Sequence, residues 1–153
     1  MKILDILDPA AIVPEMRATS KPAALEELAG ALAARYPTID QARLVEVLLE
    51  REELGSTAIG EGIAIPHGKL AGLTDVVAAF GRSSRGIDFD SLDGSPTRLF
   101  FLLVAPEESA GIHLKALARI SRLLKDRGFR ERLFAGATRE ALFDIIREED
   151  DKY

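Results

Sequence analysis

The chain has 153 residues, of which 47% are hydrophobic and 29% are charged, and its 25 acidic and 20 basic residues give a formal net charge of −5. This length predicts one domain over residues 1–153, and the acidic balance argues against general binding of nucleic acid. Because the sequence contains no cysteine, disulfides, thiol nucleophiles and cysteine-ligated metals are excluded.

The N-terminus carries no recognisable targeting signal, because Asp5 interrupts the apolar stretch there. The longest apolar run, residues 99–105, is far shorter than the roughly 20 residues that a membrane helix needs. We therefore expect a cytoplasmic protein.

Capping residues and apolar periodicity predict two helices in the first part of the chain. Ser20 caps the first, and Pro22 occupies its first turn, where a missing N–H costs nothing. Leucine and alanine then recur at helical spacing and form one apolar stripe. Asp40 opens the second helix, which ends at Gly55.

Strand patterns follow the second helix. Residues 58–59 and 63–65 are apolar and flank Gly60-Glu61-Gly62, which predicts a hairpin with a three-residue loop. Two later runs, 76–80 and 99–104, are apolar on both faces, and they predict central strands that are covered on both sides.

Helical spacing returns over Ser109–Leu124, and two shorter helices are predicted around Arg130–Phe134 and Thr138–Arg147. Helices, then strands, then helices predict an α/β fold. We expect a three-layer sandwich in which a mixed β-sheet is flanked by helices on both faces.

Several cofactor-binding motifs are excluded. Gly60-Glu61-Gly62 lacks the third glycine of a dinucleotide-binding loop, and the segment 62–69 is one residue too long for a nucleotide phosphate-binding loop. Residues 88–94 resemble the start of a calcium loop, but Leu92 breaks its ligand spacing. We therefore expect no cofactor and no metal.

His67 is the first candidate functional residue. We expect its apolar strand to end at Pro66, and Gly68 follows with no side chain to shield the imidazole. A ring nitrogen would then lie at the sheet edge, close to the backbone N–H groups of Gly68 and Lys69. Those donors suit an anion bonded to the ring, although a turn histidine with no function has the same pattern.

His113 is the second candidate, and it shares a helix face with Ala116, Leu117 and Ile120. It is either a core histidine or a partner of His67 that donates a hydrogen bond to a phosphoryl oxygen near a helix N-terminus. A metal held by both histidines and Glu61 is a third interpretation. It lacks the closely spaced ligand pair that metal sites usually show.

A resemblance to a known family narrows these alternatives. The segment Leu49–Leu70, with Ile-Pro-His-Gly at 65–68, resembles the active-site segment of the type-2 IIA domains of the bacterial phosphoenolpyruvate-dependent phosphotransferase system. That family, the mannitol/fructose class, also includes nitrogen-regulatory members. The resemblance continues through 87–94, 99–106 and 109–117, and it covers a core of about residues 20–146.

The resemblance implies an α/β sandwich that carries a phosphoryl group on histidine. His67 would accept this group from a histidine-containing phosphocarrier protein, and His113 would support it. Arg51 would neutralise its charge, and Glu61 matches an acidic position of the sugar-transport members. This chemistry suits a neutral imidazole, whose unperturbed pKa is about 6.5.

Three further residues are candidates for binding the phosphoryl group. Ser56 and Thr57 would lie on the strand paired with that of His67 and could donate hydroxyl hydrogen bonds, and Gly68 could donate its backbone N–H. We also expect a shallow apolar rim around His67, formed by residues such as Ile63, Leu70 and Leu73.

Three functions remain open at this point. Residues 65–70 and the lack of a IIB domain in this sequence favour a regulatory IIA protein whose phosphorylation state controls binding to partner proteins. Glu61 and Ala58 depart from that branch, so a sugar-specific component that passes the group to a separate IIB domain is the alternative. A non-phosphorylated binding module on the same fold is the third. We expect no nucleic-acid partner and no direct membrane insertion.

Overall fold

The structure, a computed structural model, describes residues 1–153 except for the side chain of residue 110. A short 3-10 helix covers Ile3–Asp5. The strands are β1 Leu7–Val13, β2 Ala58–Gly60, β3 Ile63–Ala64, β4 His67–Leu70, β5 Val77–Ile87 and β6 Thr97–Pro106. The helices are α1 Lys21–Arg35, α2 Gln41–Glu53, α3 Ala110–Leu123, α4 Arg127–Ala135 and α5 Arg139–Asp150.

The strands form one mixed sheet in the order β1-β5-β6-β3-β2. β5 and β6 are antiparallel, β1 is parallel to β5, and β2 is antiparallel to β3. β3 and β4 both lie parallel to β6 on the same flank, β3 opposite Leu99 and Phe100, and β4 opposite the segment 103–106. β4 is therefore a free edge of the sheet within the described residues.

Helices cover both faces of the sheet, which confirms the three-layer sandwich. α3, α4 and α5 form one apolar core with the face of β6 that carries Leu103 and Ala105. α1 and α2 form the other core with the face that carries Phe100 and Val104. Because both faces of β6 are covered, its side chains are apolar without alternation, as the sequence predicts.

The predicted helix starts are confirmed by their caps. The side chains of Ser20, Asp40 and Thr138 accept hydrogen bonds from the backbone N–H three residues ahead, at 3.1–3.3 Å. Among the helices of the described residues, none combines the length and the apolar character needed to cross a membrane.

Two strands differ from the prediction. β1 was not predicted, since Asp8 and Pro9 interrupt its apolar pattern. The predicted strand end at Pro66 is wrong, because β3 ends at Ala64 and β4 begins with His67 itself. Proline has no N–H to continue a ladder, and it separates the two short strands that pair with β6.

Candidate functional site

His67 lies on the edge strand β4, between the two helix layers, and its side chain is partly exposed. Its Nδ1 is 2.7 Å from the carbonyl oxygen of Ile65. A carbonyl can only accept, so Nδ1 carries the proton and donates. The other ring nitrogen, Nε2, is left with its lone pair, which makes it the nucleophilic atom of the ring.

His113 lies in the first turns of α3, and its ring centroid is 5.5 Å from that of His67, with an angle of 64° between the ring planes. The side chain is buried, with 8% of its surface exposed. Its Nε2 has no hydrogen-bond partner among the described residues. A buried ring nitrogen without a partner is uncommon in a folded protein, and this one has a hydrogen bond still to make beside His67.

Burial lowers the pKa of both histidines. For His67, burial is the main cause, the nearby Arg51 charge lowers the pKa further, and the Ile65 carbonyl and Glu52 oppose the shift. For His113, burial again comes first, followed by the positive charge that His67 carries when it is protonated and by the charge of Lys69. Both rings are therefore mainly neutral at pH 7, which leaves the lone pair of His67 Nε2 available.

Arg51 and Gly68 also lie at this edge. Arg51 is in the last turn of α2, where its Nη1 donates to the carbonyl oxygen of Gly55 at 3.1 Å, and its charge acts on His67. A Cβ on Gly68 would lie 2.8 Å from Cγ1 of Val47. Glycine therefore lets α2, and with it Arg51, approach β4 closely.

The hydroxyl groups of Ser56 and Thr57 are engaged elsewhere. Ser56 Oγ donates to the carbonyl oxygen of Phe89 at 2.5 Å, and Thr57 Oγ1 donates to the carboxylate of Glu52. Each hydroxyl has one proton to donate, so neither is free for a phosphoryl oxygen. The prediction that they are phosphoryl donors is corrected accordingly.

The structure does not bring Glu61 to the histidines. Glu61 lies in the loop between β2 and β3, where its carboxylate forms an ion pair of 3.0 Å with Arg130. The backbone N–H of Leu99 bonds to Gly62, beside Glu61, whereas His67 is opposite Leu103. Four residues of β6 correspond to about 13 Å along the sheet, so Glu61 belongs neither to a phosphoryl site nor to a metal site at His67.

The predicted apolar rim is also wrong in part. Ile63 and Leu70 are 2% and 5% exposed, and each is buried in one of the two cores. Only Leu73 of that set is partly exposed. The short strands β3 and β4 turn their aliphatic side chains under the helices, because both faces of the sheet are covered.

Glu52 was missed by sequence reasoning. It is 8% exposed, receives the ammonium of Lys21 at 2.9 Å, and accepts from the backbone N–H of Thr57 at 3.1 Å. It therefore ties the end of α2 to the start of β2, beside Arg51. In the sequence it stands in the charged run 50–53, where nothing separates it from the solvated glutamates on either side.

Comparison with known proteins identifies relatives of this chain. The family model described as "Phosphoenolpyruvate-dependent sugar phosphotransferase system, EIIA 2" matches residues 5–149. A nitrogen regulatory protein of Bradyrhizobium diazoefficiens is 47% identical over 146 residues, which cover 95% of each chain. The fructose-specific EIIABC component of Bacillus subtilis is 38% identical over 98% of this chain and 24% of that protein.

A solved structure agrees with these matches. The crystal structure of the nitrogen regulatory protein IIA-Ntr from Neisseria meningitidis superposes with a TM-score of 0.86 at 36% sequence identity. The match covers 93% of this chain and 97% of that one. The chain is thus similar to these proteins over nearly its whole length.

Proposed function

Because the chain belongs to the EIIA type 2 family of the phosphoenolpyruvate-dependent sugar phosphotransferase system, we propose that His67 accepts a phosphoryl group from a histidine-containing phosphocarrier protein. The observation that supports this proposal best is the histidine pair at the sheet edge, with Nδ1 of His67 held by the Ile65 carbonyl. No cofactor is needed, and the reaction would take place in the cytoplasm, together with the other components of the relay.

The transfer is an in-line displacement at phosphorus. The lone pair of His67 Nε2 forms the new N–P bond while the bond between phosphorus and the donor's nitrogen breaks, and that electron pair stays on the donor ring. The proton on Nδ1 remains in place. The Ile65 carbonyl then stabilises the positive charge that the reacting ring acquires, since the hydrogen bond to Nδ1 is already formed.

Charge stabilisation comes from residues around the ring. Phosphoryl transfer depends on groups that neutralise the three equatorial oxygens. In our proposal, neutral His113 donates from Nε2 to one of them, which gives that buried nitrogen its missing partner. Arg51 supplies a fixed positive charge, and Gly68 keeps the helix that carries it close.

The output of the protein is regulatory in this proposal. The relatives at 47% and 36% identity are nitrogen regulatory proteins, and the match with this chain covers nearly the whole length of each. A phosphoryl group adds about −1.5 to −2 charges to the surface at His67, which is enough to repel or recruit a partner. Regulated target proteins would therefore distinguish the phosphorylated chain from the unmodified one.

A sugar-specific role is the second candidate, because a fructose-specific component is 38% identical to this chain. In that case His67 would pass its phosphoryl group to a separate IIB domain. The two candidates share the acceptance step and differ only in what receives the group or recognises it.

The acceptance step is tested with purified proteins. The chain is incubated with phosphoenolpyruvate, the general enzyme of the system and the phosphocarrier protein, and its intact mass is measured. We expect one acid-labile phosphoryl group on the wild type and on His113→Gln, and none on His67→Gln. Labelled His67→Gln would show that the acceptor is another residue.

The output is tested next. Phosphorylated wild type is offered a fructose-type IIB domain, while immobilised phosphorylated and unmodified chains are compared for proteins retained from a cell extract. A retained protein set that depends on phosphorylation, without transfer to IIB, supports the regulatory role. Rapid transfer to IIB with no such difference would support the sugar-specific role instead.

A further inference from the structure

Lys69 lies on the same strand as His67, two residues further along the chain. His67 is opposite Leu103 of β6, and Lys69 is opposite Ala105. Leu103 and Ala105 both belong to the core under α3. Gly68, which stands between His67 and Lys69, faces Val47 of α2 on the opposite side of the sheet. Since side chains alternate along a strand, His67 and Lys69 share the face towards α3, about 7 Å apart.

The ammonium of Lys69 acts on His113. Its positive charge is one of the causes that lower the pKa of His113. The side chain is exposed, and no carboxylate of the described residues lies within 4.0 Å of its Nζ. By contrast, Lys21 at the other side of the site is paired with Glu52 at 2.9 Å. Lys69 is therefore a cation near the histidine pair whose ammonium has no ion-pair partner among the described residues.

A phosphoryl group on His67 would carry more negative charge than the positive charge next to the ring can neutralise. Both histidines are neutral, so Arg51 is the remaining fixed positive charge next to the ring. A phosphoryl group carries about −1.5 to −2 charges, more than one guanidinium neutralises. The flexible four-carbon side chain of lysine can bring its three N–H donors to a neighbouring position on the same strand face.

We propose that Lys69 is a phosphoryl-binding residue, whose ammonium pairs with the oxygens of the phosphoryl group on Nε2 of His67. The proposal rests on the proposed function, because it requires the group to be on His67. It assigns the site two cations of different kinds: Arg51, held by the carbonyl of Gly55, and Lys69, which is free until the group arrives.

A different role for Lys69 must be distinguished. Edge strands often carry exposed lysines that prevent pairing with another chain, and β4 is such an edge. A lysine with only that role would not alter the ionisation of a phosphoryl group on His67. The second ionisation of the phosphoryl group is therefore the quantity to measure.

The experiment compares four phosphorylated proteins by 31P NMR over a pH titration: wild type, Lys69→Gln, Lys69→Arg and Lys125→Gln. Lys125 is the matched control, because it is also exposed and lies 12 residues beyond His113, about 18 Å along the helix and its end. Each protein is phosphorylated by the carrier chain and, in parallel, chemically with potassium phosphoramidate.

We expect the phosphoryl titration of Lys69→Gln to shift upwards by about half a pH unit to one pH unit, as loss of a nearby unit charge requires. Lys69→Arg keeps the charge and should titrate close to the wild type, as should Lys125→Gln. An unchanged midpoint in Lys69→Gln, or an equal shift in Lys125→Gln, would overturn the proposal. If phosphoramidate labels His67 and the carrier does not, the proposed function fails, while the comparison of the variants still tests Lys69.

Discussion

The carbonyl oxygen of Ile65 determines which nitrogen of His67 can react. It lies 2.7 Å from Nδ1, so the proton stays there and Nε2 is the free nitrogen. The same contact opposes the effect of burial on the pKa, but burial is the larger cause, and the pKa lies below its ordinary value. The residue is thereby kept neutral without losing its orientation.

The pH dependence of phosphoryl acceptance follows from this shift. Because the pKa of His67 is lowered, most of the rings are still unprotonated at pH 6.5, and the rate should reach half of its maximum below that pH. Arg51→Gln removes a charge that lowers this pKa, so its acid limb should move to higher pH. Single-turnover transfer rates between pH 5 and 8 check both; a wild-type midpoint at or above pH 6.5 would contradict the expectation.

The lowered pKa values of the two histidines also make the stability of the fold depend on pH. A histidine whose pKa is lower in the native chain than in the unfolded chain binds fewer protons when folded. The free energy of unfolding should therefore decrease as the pH falls below the unfolded value of about 6.5.

Sequence reasoning can propose residues that their chemistry singles out, but it cannot identify residues that are selected by packing. The motif and the resemblance point to His67, His113 and Arg51, and the structure brings the two histidine rings to within 5.5 Å of each other. Glu52 could not be predicted, since its burial depends on Lys21 and on the start of β2. The assignment of Glu61 failed for the same reason, because only the register of the sheet separates it from His67.

At the scale of elements, the packing of α2 against β4 positions the site, and Gly68 is the point of closest approach. An added Cβ would lie 2.8 Å from Cγ1 of Val47 and 3.6 Å from Cδ2 of Leu48. Val47 is on the helix that ends with Arg51. A displacement of α2 would therefore affect both stability and the cation of the site.

We predict that Gly68→Ala lowers the free energy of unfolding by about 1–3 kcal/mol, the usual cost of overpacking. It should also slow phosphoryl acceptance, as α2 moves away from His67. Urea unfolding and single-turnover transfer provide the two measurements.

Two further variants control for this effect. Gly68→Ala combined with Val47→Ala makes room for the new methyl group, so the pair should lose less stability than the sum of the single changes. Gly111→Ala, in the first turn of α3, meets nothing within 4 Å and should be neutral or slightly stabilising. Strictly additive losses at Gly68 and Val47 would show that the contact is unimportant.

The helices were easier to predict than the strands. Their starts are marked by local signals such as Ser20, Asp40 and Thr138, each of which forms the expected cap. β1 and β4 have no such signals, because Asp8 and Pro9 interrupt the apolar pattern of β1, β4 has only four residues, and each is held by pairing with a distant strand. The sequence of β4 resembles a loop, and its pairing with β6 alone identifies it as a strand.

At the scale of the whole molecule, the layers could be predicted but the strand order could not. Two all-apolar runs imply a sheet that is covered on both faces. Placing β3 and β4 one after the other along the same flank of β6 depends on the interruption at Pro66 and on long-range pairing. No local pattern in the sequence encodes that arrangement.

A buried carboxylate limits the stability of the fold. Glu149, near the end of α5, is 1% exposed, and burial together with its neighbour Asp126 raises its pKa. The half-exposed ammonium of Lys152, 3.0 Å away, compensates only in part. Because this acid binds its proton more tightly in the folded chain, its contribution to stability decreases as the pH rises through the raised pKa.

We predict that Glu149→Gln raises the free energy of unfolding at pH 8 by about 1 kcal/mol, the lower end of the cost of a poorly paired buried group. The difference from the wild type should shrink towards pH 4.5, where Glu149 takes up its proton. Urea unfolding at both pH values measures it. Glu148→Gln, at an exposed neighbour paired with Arg132, is the control and should change stability little; equal effects of the two changes would contradict the prediction.

The hydrogen bond that holds Nδ1 of His67 also has a consequence for the order in which partner proteins bind. In the proposed relay, a ring held by this hydrogen bond would carry the phosphoryl group on Nε2 in one direction, so the donor and the acceptor would both approach from that side. The donor and the acceptor would then compete for the same space and bind in turn, and we expect no ternary complex at this histidine. Steady-state kinetics of the relay should accordingly follow a ping-pong pattern.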